Sequence, residues 1–189
     1  MLRQNGDNLA FREKYLGLIG EGLERIEGTV SKLLWMAKKG EHNPVSINIK
    51  NAVDNTYSLI EYKLKRSGIA FLNEVEEAAV VVMDLHDFQQ AMLNLFINAV
   101  HAMPEGGTLR VRVHNNDFKI SIEVADTGSG ISDEHIGKIF DPFFTTKPVG
   151  EGTGLGLWLT YEIVRSYNGE IAVESRPGSG SAFTLTFPV

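Results

Sequence analysis

The chain has 189 residues, with 18 Lys plus Arg against 24 Asp plus Glu and a formal net charge of -6. That balance gives no electrostatic reason to expect nucleic acid or an anionic membrane as partner, and the absence of cysteine excludes disulfide frameworks, thiolate zinc sites and cysteine nucleophiles. No apolar run reaches the ~18 residues of a spanning helix, and MLRQNGDNLA lacks the apolar centre of a signal peptide, so the expectation is a chain without membrane contact in a cytoplasmic setting.

The first 40 residues differ from the rest. Leu16, Ile19, Leu23, Ile26, Val30, Leu33 and Ala37 alternate spacings of three and four, the seam of a heptad helix. Such a seam favours a partner in a bundle; the alternative is an amphipathic helix lying on its own domain. Gly17, Gly20, Gly22 and Gly28 each cost about 1 kcal/mol in a helix interior, which fits a helix supported by close neighbours. In GEHNP, Gly40 caps the helix and Pro44 prevents its resumption.

From residue 45 the pattern is mixed α/β. VSINI alternates as a strand, and KNAVDNTYSLIEYKLKRSG has helical spacing before closing on Gly68. IAFLNEV and AAVVVMDL read as one or two strands, and DFQQAMLNLFINAVHAM as a largely apolar helix ended by PEGG. TLRVRVHNNDFKISIEVAD is a hairpin turning at HNND, and EIAVES and SAFTLTFPV form another around RPGSG. Between them, residues 127–157 make a long segment with a short helical patch at SDEHIGKIF, and loops of that length are usually functional or disordered.

Three stretches carry chemistry. GEGTGLGL places glycine at 150, 152, 154 and 156, without the Lys-Ser/Thr of a Walker loop or the G-x-G-x-x-G spacing of a dinucleotide fingerprint. It feeds a helix N-terminus near Leu155 to Trp158, where free N–H groups and the dipole favour an anion, phosphate above all; a plain lid or linker is the alternative. In VADTGSGIS a strand runs out onto Asp126, and Gly128 and Gly130 let the backbone turn beneath it. A carboxylate only accepts hydrogen bonds, which suits an amino group such as that of adenine, whereas an Asp that merely caps a turn is also common. In QAMLNLFINAVHAM, Asn94, Asn98 and His101 share one stripe of an apolar helix. Two aligned buried amides need partners, whether neighbouring loops or, for an Asn carbonyl, a Mg2+ ion among phosphates and waters.

NLFINAVHAM, DTGSGI, FDPFF and GTGLGL, in that order, resemble the N, G1, F and G2 boxes of bacterial sensor histidine kinases, within the GHKL superfamily that also holds gyrase-type ATPases. The resemblance implies an α+β chain whose residues 41–189 form a two-layer Bergerat-type ATP-binding sandwich, a mixed sheet covered by helices. Residues 1–40 resemble the second helix of the dimerisation and phosphotransfer hairpin, implying a homodimer through the 16–37 helix and a response regulator as partner. ATP and Mg2+ are the implied ligands. Asn98 matches the Mg2+ ligand and Asp126 the carboxylate that binds the adenine amino group, with Gly128 and Gly130 beneath the base. Gly152, Thr153, Gly154, Leu155 and Gly156 match the phosphate-side loop, and Phe140, Phe143 and Phe144 the aromatic anchors of the lid over ATP. His101 falls where many relatives place a basic residue near the phosphates, and Lys147 is a candidate for the terminal phosphate. Asn94 stands where ATP-hydrolysing members carry a glutamate base, and an amide cannot take a proton in that role, so phosphoryl transfer is expected over hydrolysis.

No histidine here fits the acceptor box. His42 precedes Asn43 and Pro44 too closely, His86 in LHDFQQ begins the N-box helix, His114 sits in a hairpin and His135 in the lid. The expectation is therefore a fragment, cut between the two helices of the hairpin, that binds ATP without phosphorylating itself. Two other functions stay open at this level: a nucleotide-binding regulatory scaffold, and a GHKL ATPase or serine-directed protein kinase.

Overall fold

The computed structural model describes residues 43–189 except 77, 117 and 149–151, together with Tyr15 and Gly22, which are helical. The chain divides into two compact units, Met1–Glu41 and His42–Val189. Every position of the 16–37 seam lies outside the described residues.

The second unit opens on β1 (Val45–Asn48), which passes without a loop into α1 (Ile49–Arg66). The switch is made by Asn48, whose side chain accepts from the Asn51 backbone N–H at 2.9 Å and so supplies one of the helix's orphan donors with a partner. Ile49, Ala52, Val53, Thr56, Ile60 and Leu64 form the buried stripe of α1. β2 (Ile69–Asn73) and β3 (Val80–Met83) follow, then α2 (Leu85–Ala102), whose N-cap Asp84 accepts from His86 N–H at 2.8 Å. β4 (Gly107–Asn115) and β5 (Lys119–Asp126) form a hairpin; α3 is a single turn (Asp133–Ile136). α4 (Gly156–Ser166) leads into a second hairpin, β6 (Glu170–Ser175) and β7 (Ser181–Pro188).

IAFLNEV and AAVVVMDL, expected as one or two strands, form two that enter different sheets. β3 pairs antiparallel with β1 in a two-stranded ribbon, while β2 pairs parallel with β4 at the edge of a five-stranded sheet ordered β2-β4-β5-β7-β6. The other pairings in that sheet are antiparallel, so the sheet is mixed. Its core face is built by alternation: Leu109 and Val111, Ile120, Ile122 and Val124, then Phe183, Leu185 and Phe187 are all buried. Helices α1, α2 and α4 cover that face. The opposite face carries Arg110, Arg112, Ser121, Glu123, Thr184 and Thr186 and stays partly open, which makes this a two-layer α+β sandwich. Phe71 of β2 is held between layers, stacked on Tyr57 with centroids 4.4 Å apart and edge-on to Phe96 at 5.6 Å.

α2 and α4 pack antiparallel, and polar contacts at each end set their registration. At one end Tyr167, the C-cap of α4, donates from its hydroxyl to Asp87 Oδ2 at 2.6 Å and accepts from the Asp84 N–H at 3.1 Å. Asp87 is 5% exposed, and burial together with that carboxylate raises the Tyr167 pKa. At the other end Asn94 Nδ2 donates to Thr160 Oγ1 at 3.4 Å. Replacing Tyr167 by Phe removes one donor from a buried carboxylate, and we expect a loss of about 1–3 kcal/mol in the stability of this unit. Urea unfolding measures it, with nucleotide affinity unchanged because the contact sits at the far end of α2 from the stripe that carries Asn98.

Candidate functional site

β5 delivers Asp126 to the end of the sheet, paired with Leu109 on one side and Ser181 on the other. The Asp126 carboxylate accepts from the Gly128 N–H at 2.8 Å, so it does close its own turn. It is nevertheless only half-covered, and burial raises its pKa against the lowering effect of the Gly128 and Ser181 backbone bonds. A carboxylate held above its ordinary pKa lacks donors for its charge. A ligand amino group would supply one.

The turn after Asp126 is pressed onto the end of α2. A Cβ at residue 128 would stand 2.5 Å from the Ala102 carbonyl oxygen and 2.7 Å from Ala102 Cβ, so only glycine fits. The next residue completes the junction: Ser129 N–H donates to Ala102 O at 2.9 Å. Gly130, at φ +69, backs onto the Arg176 carbonyl. Asn98 lies one helical turn before Ala102 on the same face of α2, so the amide of Asn98 and the carboxylate of Asp126 belong to one end of the same helix–strand junction. Asn98 is half-buried and among the described residues has no hydrogen-bond partner. A ligand carbonyl oxygen left free beside a turn shaped by glycine is what a hard cation or a water in its shell requires.

The remaining members of the stripe are engaged. Asn94 is 5% exposed, and its Oδ1 accepts from Gln90 Nε2 at 3.1 Å while its Nδ2 reaches Thr160. Thr160 in turn donates to the Gly156 carbonyl at 3.0 Å. The amide of Asn94 thus locks the start of α4 to α2 beside Gly156, where a Cβ would meet Asn94 Oδ1 in ordinary contact at 3.7 Å. Leu155 is the N-cap of α4 and makes no side-chain cap hydrogen bond to the first turn of this helix.

The segment before α4 folds against itself. The Phe143 N–H donates to Gly154 O at 2.9 Å, and Gly154 at φ +64 lies so close to the Phe143 backbone that no Cβ could be inserted. Gly152 approaches Thr145, and Thr153 Oγ1 accepts from Leu155 N–H at 3.4 Å. The three phenylalanines expected as anchors differ in setting: Phe140 packs near Tyr161 at 5.8 Å and Phe144 near His135 at 5.6 Å, whereas Phe143, at φ 66, is 72% exposed. Lys147 does come to the stripe. Its Nζ donates to His101 Nδ1 at 2.8 Å, which needs a neutral imidazole with its proton on Nε2. Loss of water around the ring, then the charges of Lys147 and Lys63, push the His101 pKa down to about 4, although the residue keeps an exposed edge.

Residues 127–157 therefore do not carry the site alone. Thr160, Gln90 and Ala102 were not singled out by sequence, although a threonine on the buried stripe of α4 was a legible signal. Gly180 was counted as hairpin punctuation, yet it lies against the Asp126 carbonyl with no space for a side chain.

The depressed His101 pKa has a measurable consequence. Its folded value is below the ordinary 6.5, so the contribution to stability is complete above pH 6.5 and is lost as pH falls toward 4. The His101 ring resonances should not titrate near neutrality in an NMR pH series, and His101→Gln should flatten the fall in stability over that window.

Residues 83–189 match the family described as histidine kinase-, DNA gyrase B- and HSP90-like ATPase. Sporulation kinase A of Bacillus subtilis (strain 168) is 34% identical over 179 residues, covering 93% of this chain and 29% of the relative. The signal transduction histidine-protein kinase AtoS of Escherichia coli (strain K12) is 31% identical over 191 residues, covering 100% of this chain and 31% of the relative. The chain thus spans less than a third of the length of either. Among solved structures, the nucleotide-free catalytic domain of histidine kinase ThkA superposes with TM-score 0.70 at 31% identity, covering 77% of this chain and 97% of that one. ThkA in complex with the response regulator protein TrrA superposes with TM-score 0.77 at 29% identity, covering 96% of this chain and 52% of that one. The matched span and the mixed sheet agree: this chain belongs to the histidine kinase-, DNA gyrase B- and HSP90-like ATPase family and carries an ATP-binding domain of the histidine kinase type.

Proposed function

We propose that the 43–189 unit binds Mg-ATP across the junction of β5 and α2 and delivers the γ-phosphoryl group to a histidine on a phosphotransfer helix. Asp126 receives the adenine amino group. Asn98 contributes its carbonyl to Mg2+, and the uncapped start of α4 with the 152–156 backbone takes the phosphates. When bound, Mg2+ neutralises charge on the phosphate oxygens; among the described residues no three His, Cys, Asp or Glu side chains group around a common point, so its other ligands would be phosphates and waters. The response regulator would then take the phosphoryl group, a role supported by the ThkA–TrrA complex for that protein alone. The heptad spacing of 16–37 supports dimerisation through that helix.

The observation that carries the choice of transfer over hydrolysis is Asn94. An amide buried between Gln90 and Thr160 has no proton-accepting capacity for an attacking water. The histidines of the unit are poor acceptors by placement: His101 is bonded to Lys147, His135 to Ser132 at 2.9 Å, and His86 and His114 sit on a helix start and a strand.

Asp126→Asn should weaken ATP by roughly 1.5–3 kcal/mol, the range for hydrogen bonds to charged groups. Because the folded pKa of Asp126 is raised, its charge opposes folding above the unfolded pKa, so the same variant should leave the nucleotide-free unit as stable or more so. Asn98→Ala should remove the Mg2+ dependence of binding. Calorimetry with and without Mg2+ reads all three, and equal ATP affinity for wild type and Asp126→Asn would refute the adenine assignment. For the reaction itself, the chain mixed with a protein supplying an H-box helix and Mg-ATP should yield acid-labile phosphohistidine. Steady phosphate release without that acceptor would point instead to an ATPase.

A further inference from the structure

We propose that His101 is a positioning residue whose Nδ1 lone pair holds the Lys147 ammonium at the phosphate end of the nucleotide site, so that the cation there comes from residue 147 and not from residue 101. This rests on the nucleotide site proposed above and assigns the residue that prepares it for a terminal phosphate.

Four observations converge on it. The Lys147 Nζ to His101 Nδ1 distance is 2.8 Å, a full hydrogen bond between two elements 46 residues apart in sequence. His101 is in the last turn of α2, three residues beyond Asn98 and therefore its neighbour on the helix surface. The main chain at Lys147 is itself held, since its N–H donates to Thr145 Oγ1 at 3.1 Å. The ring is kept neutral at pH 7 by its surroundings, with Lys63 adding to the effect of Lys147. A protonated ring at that distance would repel the ammonium, so the two residues cannot both serve as cations while this contact stands.

A lysine on a flexible four-carbon stem loses rotamer freedom when fixed, and a contact made before the ligand arrives takes that cost out of binding. The site described for adenine and Mg2+ does not distinguish ATP from ADP. A pre-placed ammonium beside Asn98 would do so, because only the triphosphate brings a terminal oxygen to it. The plain alternative is that Lys147 rests at the C-terminal end of α2 through the helix dipole, with His101 incidental.

The experiment is a double-mutant cycle on the full 189-residue chain, with Mg-ATP and Mg-ADP affinities measured by calorimetry for wild type, His101→Ala, Lys147→Met, the double variant and His101→Asn. Lys147→Met and His101→Ala should each cut the preference for ATP over ADP by about tenfold or more. The double variant should be no worse than Lys147→Met alone, and His101→Asn, whose carbonyl can stand in for Nδ1, should keep most of the preference. Additive losses would show that His101 meets the nucleotide independently, and an unchanged preference in His101→Ala would leave Lys147 to the dipole; either result overturns the proposal. Failure of the wild-type chain to bind Mg-ATP would overturn the proposed function together with it, whereas wild-type binding with additive losses would sink only the role of His101.

Discussion

The site depends on one backbone contact, the Ala102 carbonyl accepting from Ser129 N–H at the end of α2. That bond exists because residue 128 has no side chain; any Cβ would collide with Ala102. Through it the last turn of a helix and the last residue of a strand are brought into one corner, with Asp126 two residues before Gly128 and Asn98 one helical turn before Ala102. A carbonyl at the end of a helix has no partner inside the helix. Here the turn that follows Asp126 supplies the missing donor.

The antiparallel pairing of α2 and α4 divides the corner electrostatically. The start of α4 offers uncapped N–H groups and a positive dipole end, while the close of α2 offers carbonyls and gathers His101, Lys147 and the field of Lys63. The Asn94–Thr160–Gly156 chain holds the two helices in that registration. Asn94 thus acts as a brace in the structure, and its amide chemistry withholds a base from water by the same placement. At the opposite end the Tyr167–Asp87 contact closes the helix pair with a group that takes no part in the site.

Asp126 illustrates the cost of such a corner. Its carboxylate is kept partly dry, with burial raising its pKa against the lowering effect of the Gly128 and Ser181 backbone bonds. Burial of this charge lowers local stability, and in the proposed function it leaves an acceptor already desolvated for an amino group. Asn98, half-buried and with no side-chain hydrogen bond among the described residues, is its neutral counterpart.

Much of this was legible without coordinates. The alternation of β4, β5 and β7, the hairpin turns and the order of the glycine-bearing boxes are local signals, and local sterics and hydrogen bonding suffice to produce them. Sequence also determined which chemistry is present at all: no cysteine, a carboxylate closing a strand, amides on a helical stripe. Tertiary structure alone decided that β2 and β3 separate into two sheets, that Asn94 braces where Asn98 stays free, that Phe143 is exposed among three similar phenylalanines, and that Lys147 meets a neutral His101. Each of these is a contact between residues far apart in the chain, and no periodicity encodes which side chain a distant element will press against, or how much water will be left between them.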